Sequence, residues 1–144
     1  MQAAVKLASK ASLLGEIPVG AVVVDPKSDE IISKAHNQTR IKKDPTAHAE
    51  MLAIRKAAAK LGLERLAGLD IYVSLEPCPM CAQAISAARF RRLYFGAHDE
   101  KMGGTVNGAK VFHATSCHHK PEIYGGIMEE DSARILKEFF KNKR

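Results

Sequence analysis

The chain has 144 residues, 46% of them hydrophobic, which is enough to bury a core without disulfide bonds or other cross-links. It carries 22 Lys and Arg against 16 Asp and Glu, and the resulting formal charge of +6 favours a polyanionic partner. Three cysteines are an odd number, which disfavours a secreted disulfide framework. Lys6 and Lys10 interrupt the N-terminal segment, which disfavours a signal peptide, and the longest apolar run, near Val19–Val24, is too short to span a membrane. We therefore predict one compact domain, residues 1–144, in the reducing cytoplasm and away from membranes.

The first predicted elements are a helix and a hairpin. Gln2–Leu14 has the apolar spacing of an amphipathic helix. Val19–Val24 is a continuous β-branched run, typical of a strand buried on both faces, and after a turn it is followed by the short strand Ile31–Ser33. The next segment, His36–Arg40, is polar and predicts a loop. Asn37 lies in this loop, and on spacing alone it is a turn residue.

A second helix is predicted to carry His48 and Glu50. Both follow Asp44–Thr46, a segment in which the Asp or the Thr can cap a helix and the proline suits a first turn. Apolar residues recur at helical spacing as far as Leu61, and Gly62 suits the end of the helix. On a helix, an offset of two residues turns Glu50 about 200° away from His48. A metal ion bound by His48 must therefore lie near the helix end, with Glu50 reaching a water molecule on it.

Cys78 and Cys81 supply two further groups suited to a metal ion. Leu69–Leu75 predicts a strand that leads directly to them, and a helix beginning at Pro77 or Pro79 turns both sulfurs toward one point. The free amide groups at the start of such a helix favour the thiolate form. Two thiolates and one imidazole are a donor set that Zn²⁺ accepts, and three protein ligands leave a fourth position open for water. An open position is typical of a catalytic zinc.

The rest of the chain continues the alternation of helices and strands. The helix after Cys81 is predicted to end near Ala88, and Leu93–Gly96 predicts another strand. This alternation predicts an α/β fold with a parallel or mixed sheet and a site at the carboxyl ends of its strands. After irregular segments, Ser132–Lys141 predicts a last helix, whose spacing assigns Phe139 and Phe140 mainly to the core.

Each half of the metal set also has a simpler interpretation. Taken alone, Cys78 and Cys81 fit half of a structural zinc knuckle or a redox pair, and His48 alone fits a surface or core residue. A rival metal set, Cys117–His119, lacks a fourth ligand nearby, so a reduced cysteine and two loop histidines are the simpler interpretation there. A histidine and two cysteines joined through a predicted strand favour a catalytic zinc.

The combination of His48-Ala49-Glu50 with Pro77-Cys78-Pro79-Met80-Cys81 resembles the zinc-dependent nucleobase deaminases. Further segments are similar to the bacterial tRNA-specific adenosine deaminases within that superfamily, and the similarity spans nearly the whole chain: Glu16–Ala21, Asp44–Glu50, Leu75–Cys78, Phe95–Asp99 and Phe139-Phe140. The resemblance implies a three-layer α/β/α cytidine-deaminase-like domain with a central mixed sheet of about five strands. It also implies a homodimer.

For the chemistry, the resemblance implies hydrolytic deamination of the wobble adenosine to inosine in a tRNA anticodon loop. One Zn²⁺ per chain is expected, bound by His48, Cys78 and Cys81 and activating a water molecule as hydroxide for attack on C6 of adenine. Glu50 is expected to take the water proton and pass it to N1 before ammonia departs. The alternative is a guanine or cytosine deaminase acting on a free base. A noncatalytic, zinc-stabilised RNA-binding module is a third interpretation, against which Glu50 and the open ligand position argue.

The resemblance further implies which residues contact RNA. Asn37 is expected at the edge of the target base, and Asp99, otherwise a loop cap, near the neighbouring ribose. Phe139 or Phe140 is expected near the flipped nucleotides, and His98 stands where related enzymes often carry Arg. Candidate phosphate contacts are the basic residues Lys42, Lys43, Arg89, Arg91, Arg92 and the Lys141–Arg144 tail.

Overall fold

The computed structural model describes residues 1–143 and has one five-stranded sheet with helices packed on it. Arg144, part of the predicted phosphate-binding tail, lies outside the described residues. The strands are β1 (Gly20–Asp25), β2 (Glu30–His36), β3 (Asp70–Leu75), β4 (Arg92–Ala97) and β5 (Glu122–Tyr124). The helices are α1 (Gln2–Leu13), α2 (Ala49–Leu61), α3 (Pro79–Ala87) and α4 (Glu129–Asn142).

The sheet is mixed, with the strand order β2-β1-β3-β4-β5. β1 is antiparallel to both β2 and β3, so the predicted opening hairpin is confirmed. β4 runs parallel to β3 and to β5, with α3 in the connection from β3 to β4. The carboxyl ends of β3 and β4 therefore meet at one edge of the sheet. The segment with the cysteines follows the first of these ends, and the segment with Asp99 follows the second.

Helices cover both faces of the sheet, which confirms the predicted three layers. α1 and α4 contact each other and pack on the central strands. α2 packs on β1 and β2 from the opposite side, because successive side chains of a strand point to opposite faces of the sheet. Gly20 of β1 faces α1. Val23, three residues later, lies on the other face and pairs with Ser33 of β2, whose hydroxyl donates a hydrogen bond to a carbonyl of α2. A Cβ atom at Gly20 would collide with the backbone of α1, so the close packing of α1 on β1 requires glycine there.

The start of α2 differs from the prediction. The helix begins at Ala49, after His48, and neither Asp44 nor Thr46 caps it. Instead, Asp44 Oδ1 accepts hydrogen bonds from the backbone N–H and the hydroxyl of Thr46, at 2.8 and 2.7 Å. This turn uses the same side chains that could have capped a helix, and it keeps residues 44–47 outside the helix. The prediction of a cap and a proline in the first turn of α2 is therefore wrong.

The core lies on both sides of the sheet. Its fully buried large side chains include Ile71, Ile85, Phe90 and Phe95, from β3, α3 and β4 and the turn between them. β2 is longer than the predicted Ile31–Ser33 because it pairs with β1 as far as His36. Within residues 1–143, none of the helices combines the length and the apolar character needed to cross a bilayer.

Candidate metal centre

The structure brings His48, Cys78 and Cys81 to one point between the starts of two helices. His48 is the N-cap residue of α2 and Cys78 that of α3, and both have extended backbone conformations, while Cys81 lies in the first turn of α3. His48 Nδ1 is 3.7 Å from Cys78 Sγ and 3.5 Å from Cys81 Sγ. Across residues 1–143, this is the single group of three such side chains whose ligand atoms lie within 4.8 Å of one another.

These distances fit a tetrahedral zinc ion. With Zn–S bonds of about 2.3 Å and Zn–N bonds of about 2.0–2.1 Å, tetrahedral angles place nitrogen and sulfur ligands about 3.6 Å apart. The observed separations of 3.7 and 3.5 Å lie on either side of that value. The donor set therefore matches Zn²⁺ in chemistry and in spacing, and with three protein ligands it leaves one coordination position free.

Without a cation, hydrogen bonds and burial shift the pKa of each of the three groups. Hydrogen bonds from Cys81 and His48 lower the pKa of Cys78 to about 4, against the opposing effect of burial. The hydrogen bond to Cys78 and burial raise the pKa of Cys81, because both sulfurs cannot be negative in so small a space. The hydrogen bond with Cys78 also raises the pKa of His48. A divalent cation at this point removes the conflict by neutralising both thiolates.

Glu50 lies beside this group in the first turn of α2, and it is 4% exposed. Its Oε2 atom is buried without a hydrogen-bond partner in residues 1–143, and burial raises the pKa of the carboxyl to about 7. A buried carboxylate oxygen without a partner is costly, so the site is built for a further group that hydrogen-bonds to it. A carboxyl with a pKa near neutrality can both accept and release a proton.

A cavity of about 430 Å³ opens onto the metal ligands. A cavity of this size accommodates a small ligand such as a nucleobase. Its walls combine an apolar surface with convergent polar groups: Ile17, Val19, Leu75, Met102, Leu136 and Phe140 are apolar, and Asn37, Thr39, His48, Glu50, Glu76, Cys78, His98 and Asp99 are polar. The candidate residues Asn37 and Asp99 thus lie at the same cavity as Glu50.

The aromatic residue at the cavity is Phe140. Phe139 is 4% exposed and packs in the core, whereas Phe140 is 46% exposed and lines the cavity. Consecutive residues on a helix point about 100° apart, so the two rings cannot face the same space. Of these two candidates, Phe140 lines the cavity and Phe139 does not. The guanidinium of Arg40 lies over the Phe139 ring, 5.7 Å from its centroid.

The loop after β4 is held by Glu76, which the sequence analysis did not single out as functional. Its buried carboxylate accepts hydrogen bonds from the backbone N–H groups of Asp99 and of residues 105–107, and from the Asn107 side chain at 2.7 Å. Burial opposes the charge, but the hydrogen bonds, led by those from Asn107, lower the pKa of Glu76. His98 Nδ1 lies 3.7 Å from the same carboxylate. In the sequence, Glu76 lies directly before the Pro77-Cys78 turn, within the Leu75–Cys78 segment that carries the family resemblance.

Asp99 itself has the local role of a loop cap. Its Oδ1 atom accepts hydrogen bonds from the backbone N–H groups of Lys101 and Met102, at 3.1 and 2.9 Å. It also lines the cavity, so the simpler interpretation and the functional one are compatible.

Two of the candidate phosphate contacts are already paired. Arg91 makes two hydrogen bonds to Asp70, and Arg92 pairs with Glu122. Arg92 begins β4, at the end of the sheet opposite to the metal ligands. These two arginines therefore stabilise the sheet. The other described candidates for phosphate contact remain: the exposed Lys42, Lys43, Lys141 and Lys143 and the half-buried Arg89.

The rival set, Cys117–His119, forms a packing contact. The Cys117 thiol lies 3.2 Å from the Ser86 hydroxyl, and it donates to the His119 carbonyl. The His119 ring hydrogen-bonds to the Phe90 carbonyl at 2.7 Å. In the described part of the chain these residues join no group with metal-binding geometry, and they fix the segment before β5 onto α3.

The chain matches known proteins along its whole length. The family model "Cytidine and deoxycytidylate deaminase zinc-binding region" matches residues 1–97. The tRNA-specific adenosine deaminase of Agrobacterium fabrum is 49% identical over 144 residues, which are 100% of this chain and 93% of that protein. A solved structure from work on A-to-I editing by tRNA:A34 deaminases at the wobble position superposes with a TM-score of 0.91 and 48% identity, covering 94% of this chain and 97% of that one.

A guanine deaminase from Nitrosomonas europaea has the same fold. It superposes with a TM-score of 0.81 and 21% identity, covering 94% of this chain and 80% of that one. At this identity the similarity concerns the fold alone.

Proposed function

Since the chain belongs to the cytidine and deoxycytidylate deaminase zinc-binding family, we propose that it converts the wobble adenosine of a tRNA anticodon loop to inosine by hydrolytic deamination. One observation carries the proposal: a carboxylate oxygen of Glu50 that has no hydrogen-bond partner among the described residues lies beside three zinc-compatible ligands, at a cavity large enough for a nucleobase. Relatives of matching length carry the name tRNA-specific adenosine deaminase, which supports adenosine in tRNA as the substrate.

The chain's own residues supply the binding and the proton transfers. His48, Cys78 and Cys81 would hold the zinc ion, which would act as a Lewis acid and lower the pKa of a water molecule from about 16 toward neutrality. Glu50 accepts a proton from the attacking water and delivers it to N1 of adenine as the C6–O bond forms. Glu50 then transfers the second water proton to the exocyclic nitrogen, the C6–N bond breaks, and ammonia leaves. The pKa of Glu50, raised to about 7 by burial in the absence of the ion, suits a group that both takes and gives a proton.

The target base has to leave its stack to reach Glu50. Bases of an anticodon loop are unpaired, so turning one into the cavity costs less than opening a duplex. We assign base contact to Asn37 and contact with the neighbouring nucleotide to Asp99, since both line the cavity. Phe140 offers an exposed ring at the cavity for stacking.

The test is ammonia release by the zinc-loaded protein. Four substrates are compared: an anticodon stem-loop with adenosine at the wobble position, free adenosine, guanine and cytosine. We expect release from the stem-loop with inosine at the wobble position, and no turnover by E50Q at unchanged zinc content. Release from free guanine or cytosine alone would overturn the proposal in favour of a free-base deaminase. Stem-loop binding without any ammonia release would indicate the noncatalytic module instead.

We propose further that residues 1–144 form one deaminase domain that acts in the cytoplasm as a homodimer. The resemblance to the bacterial tRNA-specific adenosine deaminases supports this assembly, and exposed apolar side chains such as Leu13 and Ile41, at 88% and 72% exposure, are available for an interface. Light scattering on the purified protein tests this assembly, and a monomer at micromolar concentration would contradict it.

A further inference from the structure

Glu16 is a buried carboxylate outside the metal centre. It is 2% exposed, and it follows α1 in the turn that leads to β1. Three N–H groups converge on it: the backbone N–H of Arg40 at 3.1 Å, the backbone N–H of Ile41 at 2.9 Å and the Asn37 side chain at 3.4 Å. A charged side chain is seldom buried without such partners. Glu16 therefore ties the loop after β2 to the end of α1.

The contact with Glu16 decides which way the Asn37 amide points. Both oxygens of Glu16 accept hydrogen bonds from backbone N–H groups, so the amide atom facing them has to be the donor, Nδ2. The Thr39 hydroxyl lies 3.2 Å from the same Nδ2 atom and accepts from it. Both hydrogens of the amide nitrogen thus have partners inside the protein.

The other end of the amide is left for the cavity. Asn37 lines the cavity, and its backbone N–H is fixed to the Val19 carbonyl at 3.0 Å. Its Oδ1 atom accepts no hydrogen bond within residues 1–143. In this range, the buried side-chain oxygens without a partner are Glu50 Oε2 and Ser132 Oγ, and Asn37 Oδ1 is not one of them. The Oδ1 atom is therefore accessible from the cavity. An amide oxygen can only accept hydrogen bonds.

We propose that Glu16 is a positioning residue of the active site, which holds the Asn37 amide so that Oδ1 faces the cavity and accepts a hydrogen bond from the target nucleoside. This inference rests on the proposed function for the identity of the substrate. The group recognised is a hydrogen-bond donor, either an N–H of the base or a ribose O–H. Glu16 touches neither substrate nor metal, and it acts through Asn37.

A double-mutant cycle between positions 16 and 37 tests the proposal. In E16Q an amide NH₂ replaces one acceptor, so a donor faces a donor, and we expect kcat/KM on the stem-loop to fall about tenfold or more at unchanged zinc content. N37D alone places two carboxylates together and is also expected to lose activity. In E16Q/N37D the new amide can donate to the new carboxylate, which still presents an oxygen to the cavity. We expect the double variant to be more active than either single variant.

A purely structural role for Glu16 predicts a different result. If Glu16 only holds the loop at Arg40 and Ile41, the losses from E16Q and N37D multiply, and this outcome would overturn the proposal. Wild-type activity in E16Q would overturn it as well. E64Q is the matched control, because Glu64 is exposed on the protein surface, and it is expected to behave as wild type.

A measurement on the protein alone separates this proposal from the proposed function. The side-chain NH₂ of Asn37 should give NMR signals with slow hydrogen exchange in the wild-type protein, because both of its hydrogens are bound. In E16Q the exchange should become faster. Rapid exchange in the wild-type protein would refute the proposal, even if the stem-loop is deaminated. Slow exchange supports it even if the stem-loop proves not to be the substrate.

The source of the donor is resolved with a stem-loop that carries 2′-deoxyadenosine at the wobble position. If Oδ1 accepts from the 2′-hydroxyl, N37A reduces kcat/KM on the ribose substrate and causes no further loss on the deoxyribose substrate. If Oδ1 accepts from another donor, such as an N–H of the base, N37A causes the same loss on both. Unchanged kcat/KM on both substrates would contradict the assigned contact.

Discussion

Replacing Glu50 with Gln is expected to stabilise the zinc-free protein at neutral and alkaline pH while abolishing catalysis. Glu50 is 4% exposed, and one of its oxygens has no hydrogen-bond partner in residues 1–143. Its ionised form is therefore poorly solvated in the folded chain. Glutamine has nearly the same shape and stays neutral at every accessible pH, so E50Q removes the buried charge without opening a cavity.

The size of the effect follows from the pKa of Glu50. Burial raises this pKa from the ordinary 4.5 to about 7. Glu50 thus loses its proton at a lower pH in the unfolded chain than in the folded chain. Its contribution to stability is complete below the pKa of the unfolded state and is lost as the pH rises through the pKa of the folded state. Once both forms are ionised, this difference amounts to about 3 kcal/mol. We expect E50Q to be more stable than wild type by less than about 1 kcal/mol near pH 5 and by about 3 kcal/mol near pH 8.

Urea unfolding of chelator-treated protein at both pH values measures this difference, with linear extrapolation to water. The cysteines and His48 are the same in both proteins, so their titration largely cancels in the comparison. E64Q serves as a control for the loss of one carboxylate at the surface. An advantage of E50Q that is equal at both pH values, or a wild-type protein that is the more stable at the higher pH, would refute the reasoning.

Three further predictions test other parts of the structure. C81S should lose zinc in elemental analysis because it removes a ligand, whereas C117S should keep it, and equal zinc contents would contradict the ligand assignment. E76Q should speed amide exchange at residues 105–107 and lower the free energy of unfolding by about 1–3 kcal/mol, because one acceptor of a buried network is lost; unchanged exchange would disprove this anchoring role. G96A should cost about 1–3 kcal/mol in urea unfolding, since its Cβ would collide with Ser74 and Ser132, and a neutral result would count against the close packing of α4 on β4.

The cysteine pair could be predicted from spacing because its geometry is local, whereas His48, 30 residues away from Cys78, could be added only through the motif that it forms with Glu50. Cys78 and Cys81 lie at the start of one helix, where a spacing of three brings two side chains to the same end. The β-branched run of β1 and the apolar spacing of α4 were equally direct signals. These features depend on near neighbours in the chain, which a single sequence displays.

Features that depend on distant partners could not be predicted in this way. Glu16 and Glu76 are glutamates, a residue type that is normally exposed, and their partners lie more than twenty residues away along the chain. Spacing alone placed both Phe139 and Phe140 on the core side of α4, and only the packed sheet decides which ring is buried. The turn at Asp44 was missed because the same side chain can cap a helix or close a turn.

The two outer strands of the sheet also bear on how the chain behaves when crowded during synthesis. An edge strand offers unpaired N–H and C=O groups to any other chain, and such edges promote aggregation. β5 is three residues long and is followed by two glycines, so it offers little backbone for pairing. β2 carries the exposed Lys34, and its pairing with β1 shifts register near Val24, an irregularity that twists an edge away from regular pairing. Both edge strands thus disfavour pairing with strands of other chains, which favours folding of the chain without aggregation.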